Sequence, residues 1–296
     1  VMDQATNLRN LMRQKQKAVT PQSTAKVITV TSGKGGVGKS NVSVNLAINF
    51  RRKGKKVVIF DADFGLANIE VIFGIIPRYN LFDMIYNGMS MEDVLTSGPL
   101  GINFVSGGSG VQELVHLSKT QLNFLNEKLL ELDHLADIII IDTGAGISDS
   151  VLDFIITSNE VILVTTPEPT SITDAYAVLK ALRNRKRKEY QGAHINLLVN
   201  RVSSESEGLE IYKKLNKVTN KFLDMELKNI GFLPQDQHLT KAVIEQKPVS
   251  MLYPKSKVAK AFEVVSDNVL SNNSYSTKKD VGLRSVFNHL MKFRNK

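Results

Sequence analysis

The chain has 296 residues, of which 42% are hydrophobic and 23% charged, and a formal net charge of +9. That length suits one α/β core with extensions. It contains no cysteine, which excludes disulfides and thiolate metal sites; with no signal peptide and no apolar run of about 18 residues, it reads as neither secreted nor membrane-spanning, and a cytosolic site is expected.

The charge is unevenly spread. Residues 1–26 carry +4 and residues 271–296 carry +5, so residues 27–270 sum to zero. The basic character belongs to the two tails, and a basic tail seeks an acidic partner: lipid, nucleic acid or protein.

The first segment, residues 1–25, opens with Asp3-Gln4-Ala5-Thr6-Asn7-Leu8-Arg9. Asp3 can cap a short helix on which Leu8, Leu11 and Met12 form a small apolar stripe. A helix of about 15 residues is marginal alone in water, so this one is expected to order on a partner. Val27-Ile28-Thr29-Val30 is an apolar, β-branched strand, and Asn41 to Arg52 is a helix with Val42, Leu46 and Phe50 on one face.

Between that strand and helix, Gly33, Gly38, Lys39 and Ser40 satisfy the pattern G-x-x-x-x-G-K-[ST]. Such a loop wraps phosphates with backbone N–H groups at a helix N-terminus. The cradle runs through Gly33, Lys34, Gly35, Gly36, Val37, Gly38, Lys39, Ser40 and Asn41. Its lysine, Lys39, reaches the β- and γ-phosphates, and its hydroxyl, on Ser40, ligates Mg²⁺. Lys34 departs from the ordinary pattern. A second lysine directly after the first glycine is costly to crowd there unless another negative charge awaits it. It points to a cation that reaches phosphate across a dimer interface, as an arginine finger does in trans; a solvated loop lysine is the plainer alternative.

Lys56-Val57-Val58-Ile59-Phe60 is a buried-strand run ending in Asp61-Ala62-Asp63. Ile102-Asn103-Phe104-Val105 is a further strand, Gly107-Gly108-Ser109-Gly110 a flexible loop without a helix-opening lysine, and Ser118 to Leu132 a helix striped by Leu122, Leu125, Leu129 and Leu132. Ile138-Ile139-Ile140-Ile141 ends in Asp142-Thr143-Gly144-Ala145-Gly146. Carboxylates at the carboxyl ends of parallel strands sit where an open α/β sheet binds its ligand, and their charge offsets Mg²⁺. An Asp that only caps the next helix explains one of the three, less readily all of them.

Val161-Ile162-Leu163-Val164 is a buried strand, followed by a helix from Ser171 to Arg187. The basic run from Arg183 to Lys188 reads as a solvated cluster beside the negative helix end rather than as a DNA site. Ile195-Asn196-Leu197-Leu198-Val199 leads to Asn200 and Arg201, and Ile230-Gly231-Phe232-Leu233 to Pro234-Gln235-Asp236. The five histidines have no ligand spacing, which argues against zinc. Strand and helix alternate, which predicts an α/β fold with a mostly parallel, doubly wound sheet over residues 26–270.

Residues 271–280 read as a linker and 281–296 as an amphipathic helix. Leu283, Val286, Phe287, Leu290 and Met291 recur at i, i+3, i+4, i+7 and i+8, among Arg284, His289, Lys292, Arg294 and Lys296. Such a helix can lie in a membrane interface with its cations near anionic headgroups, or dock on its own core. One copy binds marginally; two on a dimer gain through effective concentration.

The sequence from Lys34 to Ser40, K-G-G-x-G-K-[ST], resembles the deviant Walker A family of MinD, ParA and nitrogenase iron-protein relatives. The resemblance implies the MinD/ParA type of P-loop NTPase, with ATP and Mg²⁺ as cofactors. It also implies ATP hydrolysis and an ATP-dependent homodimer in which Lys34 meets the partner's nucleotide. Lys34, Lys39 and Asp63 would be the catalytic residues, Asp63 orienting or deprotonating the attacking water. Asp142 would be the Walker B carboxylate, holding Mg²⁺ through water beside Ser40, with Asp61 supporting the metal shell. Asn200 and Arg201, and the loop of Pro234 and Asp236, fall on positions that pass the adenine. Gly144 departs from the D-x-P-A-G form common in MinD and implies a more flexible switch.

Asp3 to Arg9 resembles the D-Q-A-x-x-L-R element of the flagellar MinD-like ATPases of the FlhG type. That resemblance implies control of flagellar number and placement. Asp3, Gln4, Ala5, Leu8 and Arg9 would contact and stimulate an SRP-type GTPase, FlhF, either by an inserted Arg9 or by positioning through Gln4. It also implies attachment to the inner face of the cell membrane when ATP is bound, with flagellar basal-body components as further partners. A MinD- or ParA-type ATPase positioning division machinery or other cargo is the alternative, against which the N-terminal element discriminates. A metabolic ATPase delivering an iron–sulfur cluster is disfavoured by the lack of cysteine; a binding scaffold without turnover is the remaining reading.

Overall fold

The computed structural model describes residues 25–63, 67–108, 124, 128, 131–185 and 194–271. Outside the described residues lie the segment carrying Asp3, Gln4, Ala5, Leu8 and Arg9, and the helix carrying Leu283, Val286, Phe287, Leu290 and Met291. So do Ser109 and Gly110, most of the helix expected from Ser118 to Leu132, and the end of the basic run from Lys186 to Lys188.

The strands are β1 (Lys26–Ser32), β2 (Val57–Ala62), β3 (Thr96–Ser97), β4 (Asn103–Val105), β5 (Ile138–Ala145), β6 (Glu160–Thr165), β7 (His194–Val202) and β8 (Lys228–Pro234). They form one sheet in the order β3-β4-β2-β5-β1-β6-β7-β8. All pairings are parallel except the short edge pair β3–β4. The expected fold class is met.

A parallel sheet is covered on both faces, and its central strands must be apolar on both. The isoleucine run of β5 does this. Ile138 and Ile140 join one core layer with Ile28, Val30 and Ile59. Ile139 and Ile141 join the opposite layer with Val27, Val58 and Phe60. The first layer is closed by Val42, Leu46 and Phe50 of α1 (Lys39–Arg52). Three short helices follow β2: α2 (Asn68–Phe73), α3 (Leu81–Asn87) and α4 (Met91–Val94). Next come α5 (Asp149–Thr157), α6 (Pro169–Arg185), α7 (Glu205–Leu223), α8 (Gln237–Ile244), α9 (Val249–Leu252) and α10 (Lys257–Ser271). On the second face, Leu179 of α6 and Leu215 of α7 pack with Leu163 and Leu197. Among the described residues no helix is long and apolar enough to cross a membrane.

At the amino edge of the sheet, Lys26 is held in a buried network. Its Nζ lies 2.6 Å from Glu160 Oε1 at the start of β6 and donates to the Val269 carbonyl of α10 at 3.0 Å. Asn196 Nδ2 donates to the other Glu160 oxygen at 3.3 Å. The first and last elements of the core are therefore fastened together at the edge opposite the carboxyl ends of the strands.

Candidate nucleotide-binding site

Ser32 ends β1, and the β1–β5 pairing slips between Val30 and Ser32 as the chain turns away. Two loop positions admit only glycine. A Cβ on Gly33 would lie 2.2 Å from the Asp174 carbonyl of α6, and Gly38 has φ 100° with its Cβ position 2.6 Å from Asn200 Nδ2. The first demands absence of a side chain, the second also a left-handed backbone. Gly38 starts α1 without a side-chain cap, so the first-turn amides are turned toward the loop as an anion site requires.

Lys39 is buried, and its Nζ donates to Ser32 Oγ at 3.0 Å. Ser32 Oγ in turn donates to the Lys34 carbonyl at 2.7 Å. Burial lowers the Lys39 pKa, against the upward pull of Asp142 and Asp63.

Asp61 and Asp142 stand directly opposite each other across β2 and β5, 1% and 0% exposed. Burial, and then the Asp142 charge, push Asp61 well above the ordinary carboxylate range, although backbone N–H groups of Asp63 and Ile69 pull it down. Burial likewise raises Asp142 to about 6, opposed by the Ser40 and Ser43 hydroxyls and Lys39. Ser43 Oγ donates to Asp142 Oδ1 at 2.9 Å, and Asp142 Oδ2 is buried without a hydrogen-bond partner. Asp63 is only partly buried, accepts from Asn68 Nδ2 at 3.3 Å, and lies over Gly144.

These residues fit Mg²⁺. The donors are hard oxygens, two facing carboxylates share a single nearby cation, Lys39, and one buried oxygen is orphaned. Among the described residues no group of three His, Cys, Asp or Glu could hold a metal; Mg²⁺ usually keeps several waters and is bound by one or two carboxylates plus substrate phosphates.

An open cleft of ≈ 470 Å³ lies beside the loop, lined by Thr166, Pro167 and Glu168 after β6, Arg201 of β7 and Gln235 after β8. Asn200 faces the loop instead: its Nδ2 donates to the Val37 carbonyl at 2.8 Å, and its Oδ1 accepts from Arg201 N at 2.9 Å. Arg201 donates to the Gly36 carbonyl at 2.8 Å. Pro234 ends β8, and Asp236 caps α8, accepting from His238 N at 2.9 Å, the His238 ring at 2.8 Å and Val258 N at 3.2 Å.

Lys34 Nζ lies 2.5 Å from Glu168 Oε2 and 3.0 Å from Thr170 Oγ1. Ser32, Ser43, Glu168 and Thr170 carry no role in the sequence reading. Ser43 had a signal, one turn after Ser40 on the same helix; Glu168 and Thr170 had none, since their link to Lys34 spans more than 130 positions. The Asp142–Ala145 segment is the end of β5. In the described part of the basic run, Arg185 is paired at 2.8 Å with both Asp149 and Asp153, and Arg183 lies 3.6 Å from Asp224.

The family model described as ParA, NUBPL iron-transfer P-loop NTPase, matches residues 23–270. The chain belongs to the ParA family. Within it the chain is MinD-like, a P-loop ATP hydrolase. It is 43% identical over 243 residues to the antiactivator FleN of Pseudomonas aeruginosa, covering 82% of this chain and 85% of FleN. It is 34% identical over 301 residues to the flagellum site-determining protein YlxH of Helicobacter pylori, covering 98% and 99%. Among solved structures, the Pyrococcus furiosus cell division ATPase MinD matches with a TM-score of 0.68 at 23% identity, covering 83% of this chain and 99% of MinD. ParA and MinD proteins of this type bind ATP with Mg²⁺.

Proposed function

We propose that this ATPase is a Mg²⁺- and ATP-dependent dimerisation switch that controls flagellar number and placement. The flagellar part is supported by similarity to FleN and YlxH. The chemical part rests on one observation: Lys39 of the loop and the carboxylates of β2 and β5 converge at the carboxyl ends of the central strands.

The loop amides and Lys39 hold the phosphates. Ser40 and Asp142 would hold Mg²⁺, with Asp61 behind them, and the metal would supply counter-charge to the phosphates. Asp63, exposed enough to meet solvent, orients a water in line with the γ-phosphate, whose bond to ADP breaks as the water oxygen attaches. Lys34 crosses to the partner's phosphate. Arg201 and the turn after Pro234 flank the base in the cleft, while Asn200 positions the loop.

In this reading residues 26–270 are the ATPase domain, 271–280 a linker, and 281–296 an amphipathic helix that brings the ATP dimer to anionic membrane through Leu283, Val286, Phe287, Leu290 and Met291. Residues 1–25 stimulate an FlhF-type GTPase. Hydrolysis loosens the dimer, weakens membrane attachment and changes partner affinity. Positioning of division machinery is the second reading, favoured by the MinD-like fold and, at lower identity, by the sequence similarity to MinD proteins.

Sedimentation with and without ATP tests the switch. Lys34→Ala should remain monomeric with ATP, while Asp63→Ala should bind ATP, fail to hydrolyse it and accumulate as a dimer. A Lys34→Ala variant that dimerises like wild type would end the trans role.

A further inference from the structure

We propose that Glu168 and Thr170 latch Lys34 within its own subunit, so that this lysine must exchange an intramolecular carboxylate for the partner's phosphate each time the dimer forms. The proposal rests on the trans role of Lys34 given above.

The latch is built from neighbouring parts. Gly33 is pressed against the backbone of Asp174, which fixes the loop onto α6 one residue before Lys34. Glu168 immediately precedes α6 and Thr170 sits in its first turn. The Lys34 ammonium is then within 2.5 Å of the Glu168 carboxylate and 3.0 Å of the Thr170 hydroxyl. The Lys34 ammonium, and then the nearby Arg201, hold the Glu168 carboxyl below its usual range. The pair is poised rather than locked, because the two side chains are 37% and 52% exposed. Solvent and an incoming phosphate can therefore reach both partners.

A buried latch would prevent exchange, and no latch would leave a free cation able to meet any anion. An exposed ion pair of this kind is worth about a factor of 1.4 to 5 in an equilibrium constant. Each dimer opens two of them. Glu168 should thus raise the protein concentration needed for dimerisation about 2- to 30-fold, setting a threshold below which ATP-bound monomers do not pair.

The test is the dimer dissociation constant by sedimentation equilibrium, at saturating Mg²⁺ and a non-hydrolysable ATP analogue, for wild type, Glu168→Gln, Lys34→Ala and the double variant. Saturation removes any effect on nucleotide affinity. Glu168→Gln should dimerise at about 2- to 30-fold lower concentration, and Thr170→Val should shift the same way by less. In the Lys34→Ala background, Glu168→Gln should change nothing. An unchanged or weaker dimer in Glu168→Gln, with Lys34→Ala still monomeric, overturns the latch and leaves the trans role standing. If Lys34→Ala dimerises like wild type, the trans role and the latch both fail.

Discussion

Asp236 shows how a residue on a binding-loop motif can be held in another task. Burial pushes its carboxyl up, but hydrogen bonds from His238 and Val258, with the His238 charge, outweigh it and leave the pKa below the usual 3.8. A depressed folded pKa contributes stability above the unfolded value, and that contribution is lost as pH falls through the folded one. Asp236→Ala should cost about 0.5–2 kcal/mol at neutral pH through the lost cap. Denaturant melts should show that gap narrowing below about pH 4; a gap constant with pH would mean that the charge contributes nothing. Gly33→Ala should keep the fold but lose ATP, because its Cβ must displace the α6 backbone from 2.2 Å. Titration with a fluorescent ATP analogue, alongside circular dichroism, separates those two effects. The glycines, Lys39 and Ser40 were legible because the chemistry of a phosphate loop is written in consecutive residues. Lys34 was legible as an anomaly, but what it touches was not, since contact with Glu168 depends on how two distant loops meet.

Elements were legible in proportion to how one-sided their chemistry is. The run Ile138 to Ile141 can only be a strand covered on both faces, and it is. In contrast, α7 and α10 have no counterpart among the expected elements. The buried face of α7 includes Gly208 and Thr219 among its apolar residues, which breaks up the periodic signal. Gly208 is there for packing: a Cβ would come within 2.5 Å of the Phe232 ring on β8. Gly208→Ala should therefore destabilise by about 1–3 kcal/mol through overpacking, despite alanine's better helix propensity. Adding Phe232→Leu should recover part of the loss in thermal melts; simple additivity of the two losses would contradict a direct clash. The expected Asn41 start of α1 falls two residues inside the observed one, because Gly38 lets the helix begin at Lys39.

At the scale of the molecule, the charged tails carry the expected partner contacts and the neutral core the expected chemistry. Deleting residues 281–296 should abolish ATP-dependent co-sedimentation with anionic liposomes while leaving ATP affinity unchanged. Wild-type binding should fall with added salt, since exposed charges are screened beyond about 10 Å at 0.1 M. Equal binding to neutral vesicles would contradict the electrostatic part.

The Lys26 network has a consequence for that coupling. Strand β1 runs from Lys26, fastened to Val269, to Ser32, which touches Lys39. Seven residues of strand put about 20 Å between those ends. Across that buried span the charge of a bound nucleotide acts only weakly on the points where the chain enters and leaves the core, about 0.8 kcal/mol per pair of unit charges at an effective dielectric constant of about 20. In the proposed switch, news of ATP reaches the tails chiefly as a change in how many cores are joined. A monomeric Lys34→Ala protein should accordingly meet a vesicle with the same affinity whether or not ATP occupies it.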